Sequence, residues 1–218
     1  MKTLISANIA NLDSFLLTMP YSIEGDYVCH NSWPNKYWQS GFSATSEPTL
    51  SQLGKKVWLS IDDIKTQQFT RSHLTLMNLK LDTMLTASLS PRVALETDFT
   101  RWAFACGLGF DYELDANVVK ILAENVNNTL LSLKVGQDIA VTAILHKTGD
   151  TIGLHQMTTL PAFRAQGLAK EMMQHLIAYA KQNGAHFFSL QASQAGLPLY
   201  EKFGFEAGIP LYMYRKKN

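Results

Sequence analysis

Cysteine is nearly absent: Cys29 and Cys106 are the only two in 218 residues. Two cysteines build no disulfide framework and offer no metal-ligand spacing, and they fit a reducing cytoplasm. An excess of either charge is missing too. Nineteen Lys and Arg face eighteen Asp and Glu, for a formal net charge of +1. The balance holds along the chain, with 7 basic and 7 acidic residues in 1–90 and 12 and 11 in 91–218. A general nucleic-acid binder carries a basic excess, so no nucleic-acid partner is expected. No uninterrupted apolar run reaches the roughly 20 residues that a membrane span needs. Asn8, Asn11 and Asp13 break the apolar N-terminus before a signal-peptide core is complete. These absences predict a soluble cytoplasmic protein with no membrane partner. Low-complexity tracts and repeats are also missing. What is present, 46% hydrophobic and 17% charged residues, is an ordinary globular balance. At about 150 residues per domain, the length allows one large domain or two small ones.

The chain changes character near residue 90. Three glycines lie in 1–90 and ten in 91–218, whereas three of the four tryptophans (Trp33, Trp38, Trp58) lie in the first part. The stretch Ser88–Arg92 is the best boundary, because Pro91 pushes its predecessor away from helix. Beyond it, Val93–Glu96 reads as a strand. Asp98 caps a helix that starts at Phe99 and ends near Gly107 or Gly109. Asp115 caps another over 116–126, with Val118, Val119, Ile121, Leu122 and Val126 as its apolar face. Residues 129–135, 139–145 and 152–159 form an antiparallel meander turning at Gly136 and Gly149. The strongest helix spans 166–183, where Leu168, Met172 and Leu176 run beside Ala169, Met173, Ile177 and Ala180. Gly184 stops it. A strand at 187–192, a short helix at 196–203 and a strand at 209–214 follow. Pro210 removes a ladder donor and points to an edge or a strand start.

The chemistry concentrates in Thr159-Leu160-Pro161-Ala162-Phe163-Arg164-Ala165-Gln166-Gly167-Leu168-Ala169, which joins a strand to the strongest helix. The first turn of a helix leaves four N–H groups without partners at the positive end of the macrodipole. Gly167 and Ala169 let a bulky anion approach the backbone, Ala165 leaves room, and Arg164 adds positive charge. This suits a pyrophosphate, and small residues required for helix packing are the other reading. No Gly-Lys-Ser/Thr follows, so it is not a P-loop. The preceding strands read as antiparallel, so it is not a dinucleotide fingerprint. Downstream, Leu199-Tyr200-Glu201-Lys202-Phe203-Gly204-Phe205 reads as a short helix and a glycine turn into a strand.

Arg164-x-x-Gly167-x-Ala169 together with Leu199-Tyr200-x-x-x-Gly204-Phe205 resembles the GNAT acyltransferase superfamily over about 91–218. The resemblance implies an α+β fold with a mostly antiparallel sheet and a central, splayed parallel strand pair. It implies acetyl-coenzyme A as cosubstrate and an amine acceptor, and it is compatible with a homodimer. Met157 falls where the family's backbone meets the acyl carbonyl. Thr158 and Thr159 fall along the pantetheine arm. Arg164, Ala165, Gln166, Gly167, Leu168 and Ala169 surround the pyrophosphate. Ser193 stands where many members carry an Asn that contacts the coenzyme. Tyr200 stands where members often carry the tyrosine that protonates or binds the departing sulfur.

On that reading a fixed N–H at Met157 stabilises the oxyanion formed when an amine attacks the thioester. Tyr200 assists a thiolate whose reference pKa is about 8.5. The amine must lose a proton. His155 is the candidate acceptor because simple alternation puts it on one face with Met157 and Thr159, a hydrogen-bonded strand histidine being the other reading. Glu96, Asp98, Asp111 and Glu113 lie where acceptor contacts often form in the family, and each also reads as a capping or solvated residue. His30, His73, His146, His175 and His186 form no ligand spacing, so no catalytic metal is expected. Residues 1–90 read as an α/β region with helices at 8–18 and 49–56 and strands at 28–30, 35–39, 57–61 and 74–81. A partial, degenerate copy of the same fold is one interpretation. Trp33, Tyr37 and Trp38 read as core, with an acceptor-pocket wall as the alternative. The rival to an N-acetyltransferase is a non-catalytic acyl-coenzyme A sensor on the same fold.

Overall fold

A computed structural model describes residues 2–44, 47–49, 53–81 and 87–217. The chain forms two compact units, Met1–Asn78 with Gln191–Asn218, and Leu79–Leu190. In chain order the elements begin with α1 (Lys2–Leu16), β1 (Tyr21–Glu24), β2 (Tyr27–His30), β3 (Lys36–Trp38), β4 (Val57–Ser60) and β5 (Phe69–Lys80). Then come β6 (Val93–Leu95), α2 (Phe99–Phe110), α3 (Ala116–Glu124), β7 (Asn128–Val135), β8 (Asp138–Thr148) and β9 (Thr151–Thr159). The last are α4 (Leu168–Gln182), β10 (Phe187–Ala192), α5 (Leu197–Glu201) and β11 (Glu206–Lys216). Among the described residues no helix is long and apolar enough to cross a membrane.

The second unit follows the sequence reading closely. Its strands run in the order β10-β9-β8-β7-β6. Pairing is antiparallel from β6 to β9 and parallel between β9 and β10. This is the α+β arrangement with a parallel pair that the sequence implied. Asp98 caps α2 by accepting from Arg101 N–H at 3.0 Å, and Asp115 caps α3 through Asn117 N–H at 2.9 Å. Both α2 and α4 pack on β8 and β9. Helix α4 starts at Leu168 rather than 166 and buries Leu168, Met172, Met173, Leu176, Ile177 and Ala180 of the stripe its spacing predicted, with Ala169 only half-buried. It ends at Gly184 (φ +71°), where Ala185 N–H reaches Ala180 O and Gly184 N–H reaches Lys181 O, a Schellman closure.

Other details refine or differ from the sequence reading. Helix α2 ends at Phe110, next to Gly109 as expected, but Asp111 rather than a glycine takes the left-handed position (φ +61°). The two glycines serve close packing instead. A Cβ on Gly107 would lie 2.7 Å from Tyr112 O, and one on Gly109 would lie 2.3 Å from Thr158 Cγ2. Helix α3 ends at Glu124, and Ile121 (42%) and Val126 (97%) are exposed rather than part of its buried face. Strand β11 is not an edge: it lies between β4 and β5, and Pro210 sits at a register shift where a ladder donor is dispensable.

The first unit has the strand order β1-β2-β3-β4-β11-β5. Pairs are antiparallel except β3 with β4. Strand β1 escaped the sequence reading, and the 49–56 helix falls partly outside the described residues. Tyr37 and Trp38 are fully buried and Trp33 nearly so, as core residues. Tyr27, Tyr37, Trp58, Phe69 and Tyr214 form one aromatic cluster. Asp13 on α1 accepts from Trp38 Nε1 at 2.7 Å and Ser40 Oγ at 2.8 Å, tying the helix to the strand.

Candidate active site

Strand β9 carries a bulge. Ile144 on β8 stands opposite His155 and Thr142 opposite Thr158, so two steps on β8 match three on β9. The extra residue lies at Gln156–Met157, and Gln156 has φ +50°. This overturns the simple alternation read from the sequence. His155 shares its face with Thr158, not with Thr159, because a bulge shifts every later side chain by one. His155 is buried, its ring centroid 6.5 Å from that of His146. The ladder between β9 and β10 covers Thr151–Leu154 only. Residues 155–159 run on beyond it, and Met157, Thr158 and Thr159 are all half-buried.

The chain then turns through Pro161–Phe163 into the start of α4. Ala165 (φ +60°) and Gly167 (φ +77°) both take the left-handed conformation. The first α4 amide to find an intrahelical acceptor is Glu171 N–H, which donates to Gly167 O at 3.1 Å. No described protein group accepts from the backbone N–H groups of Ala165, Gln166, Gly167, Leu168, Ala169 or Lys170. Residues 164–167 are exposed. Six uncommitted donors at the positive end of a helix fit a pyrophosphate by number, sign and access. Glu171, the one acid in the first turn, is paired: Arg92 Nε donates to it at 3.0 Å and Ser90 Oγ at 2.6 Å. Arg92 holds its carboxyl below the usual range.

Arg164, expected from the sequence as a positive charge at the mouth, is also held by hydrogen bonds. Its Nε donates to Thr159 O at 3.1 Å and its Nη2 to Gly109 O at 2.9 Å. The guanidinium thus caps the carbonyl end of α2 and pins the loop to β9. Its charge stays beside the loop while two of its donors are in use.

Of the other candidates, Glu96 is structural. It accepts from Thr97 N–H at 3.1 Å, Asp98 N–H at 3.2 Å and Ser132 Oγ at 2.8 Å, with Lys134 Nζ at 3.2 Å. Burial pushes its pKa up, but these partners outweigh burial and hold it below the usual carboxylate range. Asp98 and Asp111 are helix caps. Glu113 lines a cleft of about 530 Å³ with Phe104, Leu108 and Tyr112. Among the described residues no group of three His, Cys, Asp or Glu side chains is arranged to hold a metal ion.

Ser193 and Tyr200 belong to the first unit. Ser193 Oγ accepts from Gly196 N–H at 3.3 Å and Ser193 O from Leu197 N–H at 3.1 Å, which initiates α5. The Tyr200 ring meets Phe205 edge-on at 5.8 Å. Gly196 makes its seat, since a Cβ there would lie 3.0 Å from Tyr200 Cε2. Burial pushes the Tyr200 phenol up to about 12.

Sequence reasoning missed one group. Gln156 at the bulge touches Tyr112, Cys106 and Thr142. Nothing in the sequence marks a glutamine as a bulge residue.

This geometry has relatives. Residues 96–205 match the acetyltransferase (GNAT) family model. The chain belongs to that family, whose members carry out acyl transfer. In structure it is similar to a GNAT-family protein from Novosphingobium aromaticivorans, with TM-score 0.70 and 12% identity over 98% of this chain and 99% of that one. It is also similar to a GCN5-related N-acetyltransferase from Kribbella flavida, with TM-score 0.62 and 15% identity over 99% and 96%. A conserved protein of unknown function from Staphylococcus epidermidis gives TM-score 0.56 and 13% identity over 92% and 94%. No curated protein matches the chain in sequence.

Proposed function

We propose that the chain is an acetyl-coenzyme A-dependent N-acetyltransferase that passes the acetyl group directly from the thioester to an amine acceptor. The observation that carries this reading is the run of uncommitted amides from Ala165 to Lys170 at the start of α4. Those of Ala165, Gln166, Gly167, Leu168 and Ala169 hold the pyrophosphate. Thr158 and Thr159 hold the pantetheine arm in the manner of an added strand, which reduces the entropic part of the barrier. Met157 N–H receives the carbonyl oxygen as it gains charge. Arg164 supports the cofactor loop by bracing it. Ser193 is assigned to the coenzyme by its motif position, although its hydroxyl already serves a local turn.

With a phenol pKa of about 12, Tyr200 holds its proton more tightly than a thiol with a reference pKa of about 8.5. It is therefore protonated at neutral pH and meets the departing sulfur as a donor, either giving up the proton or holding the sulfur through a hydrogen bond. His155, one residue before the bulge, takes the amine proton. By motif coverage, residues 91–218 are assigned to the acetyltransferase domain and 1–90 to an N-terminal region, although Gln191–Asn218 form one compact unit with Met1–Asn78; the protein acts in the cytoplasm.

Calorimetric titration with acetyl-coenzyme A, paired with thiol release against an amine panel, tests this. The parent protein binds and turns over. Gly167→Glu places a carboxylate against the pyrophosphate and loses at least about 100-fold in affinity. Tyr200→Phe keeps affinity within about twofold while kcat falls roughly 10- to 100-fold. Failure to bind removes the reading. Binding without turnover on any amine selects the sensor instead.

A further inference from the structure

We propose that Gln156 is a positioning residue for acyl transfer: clamped by Tyr112, it holds the β9 bulge so that the next amide, Met157 N–H, points at the acyl carbonyl. The inference rests on the acetyltransferase reading above and goes beyond it in assigning work to two residues outside the motifs.

Four contacts converge on Gln156. Tyr112 O–H donates to its side-chain Oε1 at 2.9 Å. Cys106 Sγ lies 3.7 Å from the same oxygen and 3.9 Å from the backbone carbonyl. Thr142 Oγ1 donates to that carbonyl at 3.1 Å. Helix α2, the loop that follows it and strand β8 therefore all grip one residue. The grip falls on a left-handed backbone, φ +50°, which a glutamine adopts reluctantly. Residues in such conformations persist when their surroundings over-determine them. If the bulge served only to bend the strand, glycine would do so without strain. The glutamine side chain is instead a handle, since its Oε1 is the acceptor through which Tyr112 reaches the bulge.

The neighbouring groups suit a rigid clamp. Cys106 is fully buried and its thiol is pushed up to about 12 by burial, so it stays protonated. The close approach of Gly109 to Thr158 brings α2 down on β9 two residues past Gln156. An amide one residue from this clamp has its direction set by it. Small errors in that direction matter, because misplacement on the order of 1 Å can lower rates about 100-fold.

Three variants test the assignment, read as kcat, KM and acetyl-coenzyme A affinity. Gln156→Gly relieves the backbone and removes the handle. Tyr112→Phe keeps the ring and removes the donor. Gln156→Glu keeps an acceptor for Tyr112. The expected result is a kcat loss of roughly 10- to 100-fold in the first two, with coenzyme affinity within about twofold of the parent. Gln156→Glu recovers most of kcat, and adding Tyr112→Phe to Gln156→Gly has no further effect. Parent-like kcat in Gln156→Gly, or in Tyr112→Phe if the glycine variant does not fold, overturns the proposal while the acetyltransferase reading stands. Equal losses in affinity and kcat overturn it as well, since they indicate a general loosening. A parent protein that neither binds nor turns over brings down both.

Discussion

At the scale of single residues, the candidate site shows that a charged group is defined by what it is already holding. Glu96 stands where an acceptor contact was plausible, but two backbone amides, Ser132 and Lys134 occupy its carboxylate. Its lowered pKa has a direct consequence for stability. A carboxyl whose folded pKa is depressed stabilises the fold above its unfolded pKa, and that contribution disappears as pH falls through the folded value. Glu96→Gln should therefore lose about 1–3 kcal/mol in urea unfolding near neutral pH. The difference from the parent should shrink below about pH 4. A constant difference at both pH values would contradict the assignment. Arg164 teaches the same lesson: its motif position was legible, while its two carbonyl partners, Thr159 and Gly109, were not.

At the scale of elements, periodicity and caps carried most of the reading, and one strand irregularity defeated it. The α4 stripe and the Asp98 and Asp115 caps follow from local spacing, which is why they could be read. The bulge at Gln156 could not be read, because it depends on Tyr112, Cys106 and Thr142, remote in sequence. The same holds for Gly109. As a helix glycine it resembled a stop signal, yet its function is to let α2 approach Thr158. Gly109→Ala would drive a Cβ against a β-branched side chain, with Thr158 Cγ2 2.3 Å away and Cβ 3.0 Å away. The expected loss is about 1–3 kcal/mol by thermal or urea unfolding, partly restored by Thr158→Ala. A Gly109→Ala variant as stable as the parent would show that α2 can shift freely.

At the scale of the whole molecule, each compact unit buries a neutral histidine. His30 in the first donates from Nε2 to Leu16 O at 2.9 Å and accepts Lys36 N–H at Nδ1, 3.2 Å away, so a second ring proton has no place. His146 in the second contacts Asn128 Oδ1 through Nδ1 at 2.7 Å. Burial lowers both to about 4. The unfolded chain then binds more protons than the folded one between about pH 6.5 and 4, and stability falls as pH drops through that window. Each histidine accounts for roughly 3 kcal/mol across it. Thermal midpoints should decline steadily from about pH 6.5 to 4, and His30→Gln should give a lower midpoint at neutral pH with a shallower decline. A flat profile in the parent would count against both sites.

The sequence alone determined the order of elements in 91–218, the start of the strongest helix to within two residues, and the family that Arg164–Ala169 and Leu199–Phe205 resemble. Each of these is set by neighbours within a few turns of chain, where propensity, capping and glycine conformation act. Only the tertiary structure decided which charges are already spent, where β9 bulges, and that α2 ends on Asp111 with its glycines turned to packing. Those outcomes depend on groups far apart in sequence competing for the same hydrogen bonds and the same space.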